Sequence, residues 1–126
     1  MVPPYLAYYG AMRENQSLVE EAHTQCMLYR SVLRQNGGLW AHILMGDQDT
    51  QDAGLWATGN AWAAAGMLRV AATIDNSQYA SDLASERDDL VRWASEIIDA
   101  AFTRLNVSLF DCRRVMWREE LTDEVA

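Results

Sequence analysis

Apolar positions recur every three or four residues over most of the chain, the spacing of helices that bury one face. Pro3-Pro4 suits an N-terminal turn and opens a first helix over residues 5–13. Ser17 and Glu20 form a capping-box pattern for a second helix, whose stripe is Leu18, Ala22, Cys26 (or Gln25), Tyr29, Val32 and Leu33. Asn36-Gly37-Gly38 is expected to end it, because glycine adopts the left-handed cap cheaply. Leu39-Trp40-Ala41-His42-Ile43-Leu44 is too short for a good helix and reads as extended, with an acidic loop at 46–52 after it. A third helix is predicted from about Gly59-Asn60 to Ile74, then a break at Asp75-Asn76-Ser77. A fourth spans 81–105, with Leu83, Leu90, Ala94, Ile97, Ile98, Ala101 and Leu105 on its inner face.

The two halves echo each other. Helix, polar turn, helix and an apolar-aromatic step end at Leu39-Trp40, and the same order ends at Leu109-Phe110, about 70 residues later. The expected fold class is all-α, built from a helical hairpin of the kind that stacks into a solenoid or an α/α toroid and is poorly stable alone. The last stretch, 113–126, has no strong stripe.

Composition narrows the possibilities. Half of the 126 residues are hydrophobic, enough for the core of a single domain. Net charge is −8 and all ten basic residues are arginine. The absence of lysine excludes Schiff-base chemistry and a P-loop lysine, and the acidic balance argues against nucleic acid, whose binding depends on neutralising phosphates. No run approaches the roughly 20 apolar residues that span a bilayer, so no membrane partner is expected. Met1-Val2-Pro3-Pro4-Tyr5-Leu6 lacks the basic and apolar regions of a signal peptide, which leaves the compartment open. Cys26 and Cys112 fit no metal or redox spacing, and Cys26 is expected as a buried free thiol. The triplets at Asn15 and Asn106 are glycosylation sequons, of consequence only in an exported form.

Few residues carry chemistry. Asp47, Asp49 and Asp52 share a loop, but Gln51 and Thr58 stand where an EF-hand needs an Asp or Asn and its terminal Glu, so a solvated acidic loop is expected and no metal. His23 reads as a surface residue in mid-helix, and Asp88-Asp89 as an exposed helix face. No nucleophile elbow, zinc signature, Walker sequence or dinucleotide fingerprint occurs, and no cofactor is expected. The unusual segment is Gly54-Leu55-Trp56-Ala57-Thr58-Gly59-Asn60-Ala61-Trp62, which runs into a helix of small residues. Large flat rings beside tight backbone mark either a close helix crossing or a platform for a sugar ring. As a site, it would set the indoles and the Asn60 amide at a helix N-terminus facing a cleft. As core, the tryptophans would simply be buried.

Trp56-Ala57-Thr58-Gly59-Asn60-Ala61-Trp62 resembles the Trp-x-Arg-Gly-Asn-x-Trp motif of the six-hairpin glycosidases, the unsaturated rhamnogalacturonyl and glucuronyl hydrolases. Gly38-Leu39-Trp40-Ala41-His42 looks like the segment that delivers that family's site histidine, and Met1-Val2-Pro3-Pro4-Tyr5-Leu6-Ala7 like its Met-x-x-Pro-Phe-Leu-Ala element, particularly in fungal members. The resemblance implies a C-terminal part of an (α/α)6 toroid, with a partial domain at 1–112 and a divergent tail at 113–126. It implies His42, Trp56, Thr58, Asn60 and Trp62 as substrate-binding residues for an unsaturated uronyl disaccharide from pectin. In that family an aspartate protonates the C4=C5 double bond, then helps water add at C5, and the hemiketal rearranges to release the neighbouring sugar. The family's aspartate lies just upstream of the Met-x-x-Pro element, so the resemblance places it before Met1 and no catalytic residue is assigned within the chain. Thr58 replaces the family's arginine, which removes a bidentate partner for a carboxylate. An inactive truncated form that self-associates through uncovered hairpin faces is expected. The alternatives are a non-catalytic helical module that binds saccharide or protein, and a gene remnant.

Overall fold

The computed structural model describes residues 2–104, which form four α-helices: α1 (Val2–Met12), α2 (Gln16–Leu33), α3 (Ala57–Asp75) and α4 (Ala84–Arg104). A single 3-10 turn, Gln48–Thr50, and two isolated β-bridges lie between α2 and α3. The fold is all-α, as the periodicity predicts. Residues 105–126 lie outside the described residues, and with them the expectations for Leu105, Asn106, Leu109-Phe110, Cys112 and the tail at 113–126.

The helices pair as two hairpins, α1 with α2 and α3 with α4, and α1 also lies along α3. The shared core takes Ala7 from α1, Val19, Ala22 and Cys26 from α2, Met67, Val70 and Ile74 from α3, and Leu90, Trp93, Ala94 and Ile97 from α4. Leu39 and Trp40, from the segment that joins the hairpins, are buried in the same cluster.

Several expected boundaries move. The N-cap of α2 is Asn15 rather than Ser17: its Oδ1 accepts the Leu18 N–H at 3.3 Å, and its backbone is extended as a cap requires. The buried face of α2 is set by Val19, Ala22 and Cys26, whereas Tyr29 and Val32 of the expected stripe are exposed and Leu18 is half-buried. On one side its last turns border an open pocket, which Tyr29 and Leu33 line. The helix ends at Leu33, four residues before Gly37, because Arg34 turns extended and joins Trp40 in a β-bridge. The glycines serve that reversal: Gly38 has φ +96°, and a Cβ there would stand 3.0 Å from Ala100 Cβ of α4. The extended reading of 39–44 agrees with the bridges Arg34↔Trp40 and Ile43↔Asp52. In α4 the inner face includes Trp93, which the sequence reading passed over, while Ile98 is 39% exposed.

His23 is not on the surface. Its side chain, 15% exposed, stacks on Trp93 with ring centroids 5.3 Å apart and comes within 3.6 Å of Asp89. About two turns along α2, the Arg30 guanidinium also lies over the Trp93 ring, 5.3 Å from its centroid. Arg30 donates to Glu96 Oε2 at 2.6 Å and Arg34 donates to the same oxygen at 3.1 Å. This polar seam ties the two hairpins together where few apolar contacts join α2 to α4. Burial alone would raise the Glu96 carboxyl, but hydrogen bonds and charge from Arg30 and Arg34 outweigh it and hold the group below its usual value of 4.5.

Two outcomes follow from these contacts. Asn15→Ala is expected to lower stability by about 1 kcal/mol, with Ser17→Ala near neutral, both read by urea unfolding; equal losses would return the cap to Ser17. Because the folded-state value of Glu96 is lowered, its stabilisation is complete above pH 4.5 and fades as pH falls through the lower folded value. Glu96→Gln should therefore unfold more easily than the parent at neutral pH, with the gap closing in acid.

Candidate functional site

The site is assembled around the start of α3. Asn60, in the first turns of that helix, is 3% exposed and its amide is fully engaged. Oδ1 accepts the Trp40 N–H at 2.7 Å, while Nδ2 donates to the Trp40 carbonyl at 2.9 Å and to the Trp56 carbonyl at 3.1 Å. One amide thus satisfies both backbone groups of Trp40 and fastens the inter-hairpin segment to the helix. The motif leads one to expect an amide aimed at a ligand; all three of these hydrogen bonds go to backbone, and Asn60 also lines the neighbouring cavity.

Two residues beyond Trp40, the segment continues as a short antiparallel ladder built on the isolated bridge Ile43↔Asp52. His42 N–H donates to Gly54 O at 3.0 Å, and Ile43 and Asp52 exchange hydrogen bonds at 2.7 and 2.8 Å. The ladder carries the His42 ring to Trp56, where the centroids are 5.0 Å apart at a tilt of 56°. On its other side His42 Nδ1 is 2.9 Å from Asp52 Oδ2, and Asp52 Oδ1 accepts the Gly54 N–H at 2.8 Å. The hydrogen bonds from His42 and from Gly54 hold the Asp52 carboxyl below the usual carboxylate range. Asp52 is therefore more than a solvated loop acid. Gly59 completes the arrangement: a Cβ at that position would lie 2.8 Å from Trp56 Cε3, so only glycine lets the indole fold back against the helix.

These residues surround a cavity of about 230 Å³, just below the roughly 300 Å³ at which small-molecule pockets begin. His42, Trp56, Asn60 and Trp62 all line it, and Thr58, exposed in the first turn of α3, does not. Trp56 and Trp62 are 52% and 57% exposed, so the indoles are not core. The opposite wall comes from Pro3, Pro4 and Tyr29, and the floor from Cys26, Trp40 and Met67. Periodicity puts Tyr29 on a buried stripe; its position at the point where α2 runs past the pocket depends on how the hairpins pack, which periodicity does not report. Pro3 and Pro4 read as helix-start residues and also shape the wall. Burial pushes the Cys26 thiol up to about 11, which keeps it neutral and non-nucleophilic at physiological pH.

The pocket walls are aromatic and aliphatic, with a histidine as the one ionisable imidazole and no carboxylate or arginine among the lining residues. Such a surface grips a flat, uncharged face by stacking and offers few hydrogen bonds to orient it. Among the described residues, no group of three His, Cys, Asp or Glu side chains is placed to hold a metal ion, and no helix is long and apolar enough to cross a membrane.

The family model for Glycosyl Hydrolase Family 88 matches residues 1–97, through both hairpins and the whole pocket, and the chain belongs to that family. It is a glycoside hydrolase-like protein, and the family points to an oligosaccharide as the substrate class. No curated protein and no solved structure matches the chain.

Replacing Asn60 by alanine would strip both buried backbone groups of Trp40. Asn60→Ala is expected to cost about 2–4 kcal/mol in urea unfolding, since an orphaned buried polar group costs about 1–3 kcal/mol. A loss below about 1 kcal/mol would mean that the segment holds its place without the amide.

Proposed function

We propose that this pocket is the saccharide-binding part of a site that acts on unsaturated uronyl residues of pectin-derived oligosaccharides, within an (α/α)6 toroid. The observation that carries this reading is the convergence of two exposed indoles and the His42 imidazole on one cavity suited to a single sugar ring. Trp56 and Trp62 supply stacking faces and His42 a hydrogen bond. Asn60 contributes by fixing the wall, and Thr58 meets the part of the substrate that lies outside the cavity. Apolar side chains left open on the helices, Tyr5, Tyr8, Met12 and Phe102 among them, support contact with further hairpins or with a second copy.

In the hydration that this class of enzyme performs, a carboxylic acid protonates the double bond and water adds at C5. No carboxylate lines the cavity. The lining residues therefore bind and orient, and the acid comes from elsewhere. The same observation favours a second reading, a module that binds saccharide without turning it over.

Both readings are tested by titrating the chain with an unsaturated galacturonyl-rhamnose disaccharide, following tryptophan fluorescence together with the enol-ether absorbance. Binding should weaken by roughly three- to tenfold in Trp56→Ala and in Trp62→Ala, the scale of one lost aromatic contact. Loss of the absorbance supports hydration, and binding without that loss supports the module. An unquenched parent chain would overturn both.

A further inference from the structure

The loop that precedes α3 holds a device for the site histidine. Asp52 is pinned twice: its backbone exchanges hydrogen bonds with Ile43, and its Oδ1 accepts the Gly54 N–H. That leaves Oδ2 facing His42 Nδ1 at 2.9 Å. An ionised carboxylate only accepts hydrogen bonds, so the shared proton belongs to the imidazole. When the ring is neutral and Nδ1 carries its one proton, Nε2 keeps a lone pair and accepts. The ring is also fixed in direction, because Asp52 holds one edge and the Trp56 indole lies against it with centroids 5.0 Å apart.

We propose that Asp52 is a positioning residue for His42: it sets the Nδ1–H tautomer and presents Nε2 as an acceptor for a sugar hydroxyl. This rests on the saccharide reading of the same cavity, and it adds a residue from the acidic loop to that site. Among the other side chains that line the cavity, Asn60 is engaged by backbone and the Cys26 thiol stays protonated, which leaves the Tyr29 hydroxyl as the second side-chain acceptor.

The experiment uses the full chain, labelled with ¹⁵N, and long-range proton–nitrogen correlation of the neutral imidazoles. The chain holds two histidines, so the His23→Gln variant assigns the His42 signals. The parent is expected to carry the His42 proton on Nδ1. Asp52→Ala should release the ring to the Nε2–H form, and Asp52→Asn should drive it there, because its one oxygen is needed by the Gly54 N–H and its NH2 then donates to Nδ1. In parallel, the galacturonyl-rhamnose disaccharide should bind roughly three- to tenfold more weakly to Asp52→Ala and to Asp52→Asn, the value of one hydrogen bond. A loop that merely needed Asp52 for its shape would lose affinity without a change of tautomer. A parent ring protonated on Nε2, an unchanged tautomer in Asp52→Ala, or unchanged affinity beside a changed tautomer would each overturn the proposal. A parent that binds no disaccharide while its ring carries the proton on Nδ1 would sink the saccharide reading alone and leave Asp52's hold on His42 established.

Discussion

Three hydrogen bonds from the Asn60 amide decide where everything in the cavity stands. Trp40 sits in an irregular segment between two helical hairpins, buried, with an N–H and a carbonyl that neither helix can satisfy. Left unmet, both would carry the full desolvation penalty of the interior. Asn60 meets them with a donor and an acceptor on one planar group and gives its remaining proton to Trp56. Aspartate lacks the donors for this task, and a hydrophobe lacks both functions. Through that one side chain the connecting segment, the start of α3 and the Trp56 indole share a common frame.

The frame explains how a short ladder can position an exposed imidazole. From the anchored Trp40, the chain runs two residues to His42, whose N–H is held by Gly54 and whose ring meets both Asp52 and Trp56. Each partner lies within a few residues of the α3 N-terminus, so the site is compact in sequence as well as in space. The opposite wall is supplied by the other hairpin, through Pro3, Pro4 and Tyr29, and depends on α1 lying along α3.

Much of this was legible beforehand, for identifiable reasons. Period and breaker residues give four helices because the buried faces repeat and the polar turns at 13–15 and 76–83 interrupt them. The tryptophan motif, with the His42 segment in the right order, points to the residues that gather around the cavity. Less legible was the phase of each face. Val19 rather than Leu18 is buried, Tyr29 is open, and His23 turns inward against Trp93, because neighbouring helices select among adjacent stripes that a heptad pattern scores alike. Asn60 illustrates a different limit: the motif shows that an amide matters there without showing whether it meets ligand or backbone. Asp52 was hidden for a third reason. A loop rich in acids looks like a solvated surface until the bridge between Ile43 and Asp52 brings one of them to a histidine ten residues away.

The thiol of Cys26 lends the cavity a further property. It lies among the residues that line the cavity, 5% exposed, and its burial raises its proton affinity and makes it a weak nucleophile. Any breathing of the bundle that admits water would lower its proton affinity and unmask a nucleophile. The reactivity of Cys26 is thus set by the packing around the cavity floor rather than by the thiol alone.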